Sequence, residues 1–306
     1  MESKISVLKE NTQLPIFALL LAALCYTSLV VANKWLNDHE VLAFEQIFWR
    51  VLISIIFAGL GVILFEKKNF QITQLELKYF AINAFLFLGG FSTFTLGITL
   101  GTPIAKAVAL NYAYPLVIVI VNFLIFKEIP SLKHFVSIAL SLLSVALVVE
   151  IWKTGSWNQF QIGELVALSN GIFYGTMIVF GKLVQQVTKG SLYRSLFYSQ
   201  LFMLPLFVGL GFLLQASGQD ILKPHLNLNL GGMNWIVLGL SSLSGGLMPL
   251  ALIYFGVSKI KPYIASLLLL TEPVWVYFCG LIFFEQQLSW PSLAGILGII
   301  LSVLLV

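Results

Sequence analysis

Apolar runs of about 20 residues, each closed by a short polar stretch, recur from one end of this chain to the other. That is the length an α-helix needs to cross a hydrocarbon core of roughly 30 Å. The runs fall at 14–33, 44–65, 79–100, 104–126, 134–151, 162–181, 192–215, 233–256, 262–284 and 290–306, with short connections. The pattern predicts an all-α integral membrane protein of ten transmembrane helices, with no stretch left for a separate soluble domain. The opening segment MESKISVLKENTQLP is polar and mixed in charge. The run after Pro15 is too long for a signal-peptide core and lacks a small-residue exit, so it reads as an uncleaved first span.

Composition agrees with a bilayer as solvent: 59% of the 306 residues are hydrophobic and only 10% charged, where a soluble domain carries about 25% charged residues. Mean hydropathy is +0.96. The net charge of +4 points to topology rather than to nucleic acid, because no basic patch interleaved with aromatics stands outside the spans. With a cytoplasmic N-terminus, the inner segments collect Lys4, Lys9, Lys67, Lys68, Lys78, Lys127, Lys133, Lys182, Lys189, Arg194, Lys259 and Lys261. Lys34, Arg50, Lys106, Lys153 and Lys223 stay on the other side or in the membrane. The positive-inside rule then places both termini in the cytoplasm of a cell membrane, expected to be a bacterial inner membrane. Trp35, Trp49, Trp152, Trp157, Trp235 and Trp290 lie near predicted span ends, and Trp275 lies well inside one. Cys25 and Cys279 both sit in apolar runs and read as packing residues, with neither a disulfide nor a thiolate metal site implied.

The second half of the chain repeats the first. Residues 111–140 align with the stretch from Leu269 at a constant offset of 158, setting Pro115 on Pro273, Phe126 on Phe284 and Ser131 on Ser289. Tyr26 and Lys34 match Tyr174 and Lys182 at offset 148, and Gly59-Leu60-Gly61 matches Gly209-Leu210-Gly211 at offset 150. Residues 1–151 and 152–306 thus form two five-helix units. Five spans is an odd number, so the copies enter the membrane from opposite faces, an inverted repeat of the kind found in secondary transporters. A static channel or an enzyme scaffold is the other product of such a duplication.

The chain resembles the EamA family of the drug/metabolite transporter superfamily. The resemblance rests on Arg50 in EQIFWRVLIS, the fourth-span segment AKAVALNYAYPLVIVIVNFLIFKE ending at Glu128, and the ninth-span segment IASLLLLTEPVWVYFCGLIFFEQQLS. It covers essentially the whole chain and lies in the order and repetition of these marks. Gln286 departs from it, standing where the family tends to carry Glu. What the resemblance implies is a secondary transporter, often an exporter of amino acids or related compounds, holding its substrate in a central cavity between the halves.

Glu272 is the first candidate for chemistry, since a carboxylate near mid-span is expensive to bury and marks a pathway or relay. It serves either as counter-charge for a substrate or as a carrier of a coupling proton. The adjacent Pro273 removes a backbone donor and frees carbonyls to line a cavity. Pro115 occupies the symmetric place behind Asn111, Tyr112 and Tyr114, so amides and phenols face an acid across the frame. Trp275, three residues after Glu272, shares its helical face and offers a cation–π surface, or else faces lipid. Glu45 and Trp49 are one turn apart near the outer end of the second span, and Arg50 pairs with Glu45, snorkels, or acts as a gate or a contact for a substrate carboxylate. Lys106 reads as an interfacial anchor, Lys34 and Lys182 as snorkelling span ends, and Asn83, Asn122 and Asn170 as interhelical ties. Gly89, Gly90, Gly97, Gly101, Gly245 and Gly246 mark the third and eighth spans as closely packed or sliding.

No P-loop, no H-x-x-x-H pair and no nucleophile elbow occurs, and His39, His134 and His225 are far apart in sequence. Neither catalysis, ATP hydrolysis nor a cofactor is therefore expected. The expected function is transport of a small metabolite such as an amino acid or related amine, by alternating access around Glu272, Trp275, Tyr112, Tyr114, Asn111 and Trp49. Gating or coupling is expected from Glu272, Glu45, Arg50, Pro115 and Pro273. Expected partners are the lipid bilayer, the small-molecule substrate, a coupling proton and a second copy of the chain. The alternative is a membrane-embedded enzyme or receptor on the same fold.

Overall fold

The computed structural model describes residues 13–67, 70–153, 161–216, 226–283 and 289–305, and these are helical with no strand among them. Thirteen α-helices follow the predicted runs: α1 Gln13–Asp38, α2 Ala43–Phe65, α3 Gln74–Thr99, α4 Ile104–Asn111, α5 Tyr114–Phe126, α6 Leu132–Val148, α7 Ile162–Val187, α8 Leu192–Ala216, α9 Gly232–Ser241, α10 Met248–Lys259, α11 Pro262–Leu269, α12 Glu272–Phe283 and α13 Trp290–Leu304. Counting α4–α5, α9–α10 and α11–α12 each as one stretch, eight are long and apolar enough to cross a membrane. The fifth and tenth predicted spans, α6 and α13, are shorter apolar helices of 17 and 15 residues. They run along one another, with Ser141 donating to Ser302 at 2.5 Å.

The two halves exchange their first helices. α7 packs on α3, α4 and α5 of the first half, and α1 packs on α9 through α12 of the second. Neither half therefore encloses its own interior, and the centre of the molecule is built from both.

The fourth and ninth predicted runs are each two short helices meeting end to end, broken in the same way at an offset of 158. At the first break Tyr112, Ala113 and Leu116 donate their amides to the carbonyls of Val108, Leu110 and Ala113; at the second, Leu270, Thr271 and Val274 donate to Ser266, Leu268 and Thr271. Pro115 and Pro273 cause it. Neither has an N–H to offer the carbonyl four residues back, and each disfavours helical geometry in the residue before it. A glycine stripe on α7 closes over the first break: a Cβ on Gly171 would come 2.9 Å from the Asn111 carbonyl oxygen, and one on Gly175 2.8 Å from that of Tyr114.

The eighth span carries a second irregularity. Residues Ser242–Leu247 form a π-helical turn between α9 and α10, whereas the equivalent α3 runs unbroken past Gly89 and Gly90. Gly245 permits it, since a Cβ there would meet Leu29 of α1 at 2.5 Å.

Two buried ion pairs pin the frame. Lys106 on α4 meets Glu164 on α7 at 2.5 Å, and Arg194 on α8 meets Glu76 on α3 at 2.6 Å. Glu76 and Glu164 each also close a capping box at the start of their helix, which fixes the carboxylate before the cation arrives. Lys106 is thus a buried tether with 1% of its surface exposed, not the interfacial anchor expected from its place at a span start. Lys34 pairs with Asp38 on the surface, and Lys182 lies over the Phe126 ring at 5.0 Å. Asn83 donates to Ser199 of α8 and Tyr254 of α10, and Asn170 to the Gly90 carbonyl. Asn122 caps its own helix at Glu128 instead of bridging two.

Candidate functional site

The two breaks place Tyr114 at the start of α5 and Glu272 at the start of α12, equivalent positions in the two halves. Tyr26 on α1 and Tyr174 on α7 are equivalent too, and their rings meet edge to face. All four meet in one cluster. The ring centroids of Tyr26 and Tyr174 are 6.4 Å apart, those of Tyr114 and Tyr174 5.1 Å at 88°, and those of Tyr112 and Tyr114 6.4 Å. Glu272 is close enough to act electrostatically on Tyr26, Tyr112, Tyr114 and Tyr174.

Tyr112 and Tyr114 are buried, and the Tyr114 hydroxyl reaches the Ser266 carbonyl of α11 at 3.4 Å. Glu272, Tyr26, Tyr174 and Asn111 keep accessible surface. The cluster lies where the two halves meet. The Glu272 carboxylate accepts no hydrogen bond and joins no ion pair among the described residues. A carboxylate removed from water without a partner costs several kcal/mol, so this position calls for a cation or a proton. Asn111 Oδ1, on the residue before Tyr112, is a buried acceptor with no donor among the described residues.

Of the residues expected at the site, Glu272, Tyr112, Tyr114 and Asn111 converge, and Pro115 and Pro273 shape the breaks that hold them. Trp275 is 36% exposed and shares a stripe of α12 with exposed Phe278 and Ile282, the composition of a lipid-facing surface. No ring contact joins it to the tyrosines among the described residues. Trp49 packs edge-on against Trp235 at 4.9 Å, within a separate apolar cluster of Leu36, Val41, Leu230 and Leu238. Glu45 and Arg50 do not pair. Glu45 accepts from the Asn227 amide at 2.5 Å, tying down the segment before α9. Arg50 donates to Asn33 of α1 at 2.6 Å and to Ser241 of α9 at 3.2 Å. The expectation that Trp49 and Trp275 join Glu272 is thus not met by their placement, because both rings are used at the periphery.

Tyr26 and Tyr174 are the candidates that the sequence reading passed over. Their signal was the repeat itself, which matched them as a pair inside the first and sixth spans.

A bundle of long apolar helices, whose two halves share the cluster of Tyr26, Tyr114, Tyr174 and Glu272, defines the class: a multi-pass membrane protein. The chain belongs to the EamA-like transporter family, whose family model matches residues 13–150 and again 161–306. The double match follows the internal repeat. No curated protein sequence matches significantly. A solved structure described only as a crystal structure of a protein is similar in fold, with a TM-score of 0.74, 12% identity and 95% of each chain covered. Family membership makes the chain a transporter in a lipid bilayer acting on a small-molecule substrate.

Proposed function

We propose that the chain is a ten-span secondary transporter built from two inverted repeats, residues 1–151 and 152–306, that exports a small amine or amino-acid-like metabolite from the cytoplasm by alternating access. The observation that carries this reading is the uncompensated Glu272 carboxylate at the start of a half-helix, facing the tyrosines of the opposite half. A broken helix at mid-membrane frees backbone groups where a cavity needs them. Because Tyr26, Tyr174, Tyr114 and Glu272 come from both halves, a rocking of one half against the other changes access without dismantling the site. Glu272 holds the substrate in one half-cycle and a proton in the other. Both termini stand in the cytoplasm, and a homodimer within the membrane is part of this reading.

The test is counterflow of labelled metabolite in liposomes. Wild-type protein is expected to concentrate label against a preloaded pool. Glu272→Gln is expected to lose at least 90% of that activity while inserting and unfolding normally, along with the pH dependence of what remains, a loss worth more than about 1.4 kcal/mol of site function. Wild-type counterflow by Glu272→Gln, at equal insertion, contradicts the proposal.

A further inference from the structure

The chemistry of the Glu272 site narrows its ligand. The cluster suits a cation: it holds one carboxylate without a counter-ion and the faces of four phenol rings, and its neutral hydroxyls can accept as well as donate. Phenol rings attract ammonium through their faces, and an acceptor left without a donor favours a ligand that brings N–H groups.

A zwitterion needs something further, a positive partner for its own carboxylate. Among the described residues no Lys, Arg or His stands close enough to act on the Glu272 charge. The cations inside the bundle stand elsewhere: Lys106 with Glu164, Arg194 with Glu76, and Arg50 against the neutral Asn33 and Ser241 with its Nη2 unpartnered. The other sources of positive potential are the start of α12, where Leu270, Thr271 and Val274 spend their amides on their own chain and Pro273 has none, and the start of α5. There the amides of Tyr112, Ala113 and Leu116 are spent on their own helix, and Pro115 has none. The Tyr114 nitrogen sits beneath Gly171, 3.4 Å from where a Cβ on that glycine would lie. An α-carboxylate would enter beside Glu272, a like charge, with neutral phenol donors but no cation to answer it.

We propose, resting on the transport reading above, that the site takes an organic monocation lacking a carboxylate, a primary or quaternary amine, and discriminates against the corresponding amino acid.

The test compares ligands that differ only in that carboxylate, by calorimetry on the full chain in lipid nanodiscs: 3-methylbutylamine against leucine, tyramine against tyrosine, histamine against histidine, with tetramethylammonium as a cation that has no N–H. Each amine is expected to bind at least about tenfold more tightly than its amino acid, and tetramethylammonium measurably, since charge and ring faces suffice. In Glu272→Gln, checked for monodispersity and thermal unfolding, the preference within each pair is expected to fall to within about threefold. Amino acids binding as tightly as their amines, or no amine binding at all, overturns the inference. Tight amine binding without counterflow of the same amine in liposomes leaves the inference standing and sinks the transport reading, so the two fail separately.

Discussion

Single residues in this protein divide by whether their charge is answered. Lys106 and Glu164 answer each other at 2.5 Å with 2% and 6% of their side chains exposed. Removing one partner of such a pair strands the other, at a cost of about 3–5 kcal/mol, whereas replacing both with apolar groups of similar size is close to neutral. Lys106→Met alone is therefore expected to lower the thermal unfolding midpoint clearly in detergent. Lys106→Met with Glu164→Leu is expected to recover most of the loss, and a double variant as unstable as the single one contradicts the tether. Glu272 is an unanswered case, as are Arg50 Nη2 and Glu128 Oε2, and Glu272 was legible in the sequence because a lone carboxylate amid an apolar run has few structural uses. Lys106 was misread because its partner is 58 residues away and its position alone looks like a span end. Tyr26 and Tyr174 escaped because a phenol in a membrane helix is inexpensive to bury and common as packing.

Helices carry the next level of argument. The spans were legible from the spacing of apolar runs, and Pro115 and Pro273 announced two interruptions. The breaks reach back as far as Tyr112 and Leu270, because a missing amide is felt by the turn that precedes it. The π-helical turn at Ser242–Leu247 was marked by Pro249 just beyond it, which has no N–H for the Gly245 carbonyl; α3 carries the same glycine pair without that proline and stays regular. Gly171 and Gly90 separate a glycine that is needed from one that is not. A methyl group on Gly171 meets the backbone of the α4–α5 break at 2.9 Å, while one on Gly90 meets nothing within 4 Å. Gly171→Ala is expected to cost about 1–3 kcal/mol of stability through overpacking and to impair transport by shifting Tyr114. Gly90→Ala is expected to be neutral or to stabilise by about 0.5–1 kcal/mol, as alanine replaces glycine inside a helix. Unfolding midpoints and counterflow rates for the two variants, measured together, check this; equal effects would show that the break does not depend on the close approach of α7.

At the scale of the molecule, the duplication was visible in the offsets of 148 to 158, but the exchange of α1 and α7 between halves was not. Which helix packs against which depends on contacts between residues from about sixty to more than two hundred positions apart, and periodicity holds no record of them. That exchange gives Tyr26 and Tyr174 their meeting point and makes the site the joint property of both halves. The central claim is that this one site faces each side of the membrane in turn. It is tested most directly with Tyr174→Cys, in a chain with Cys25 and Cys279 replaced by alanine, probed by a membrane-impermeant thiol reagent in right-side-out and inside-out vesicles. The account predicts modification from both sides, slowed in both by a transported amine. Modification from one side only, whatever ligand is present, would contradict alternating access and leave a one-sided binding vestibule in its place.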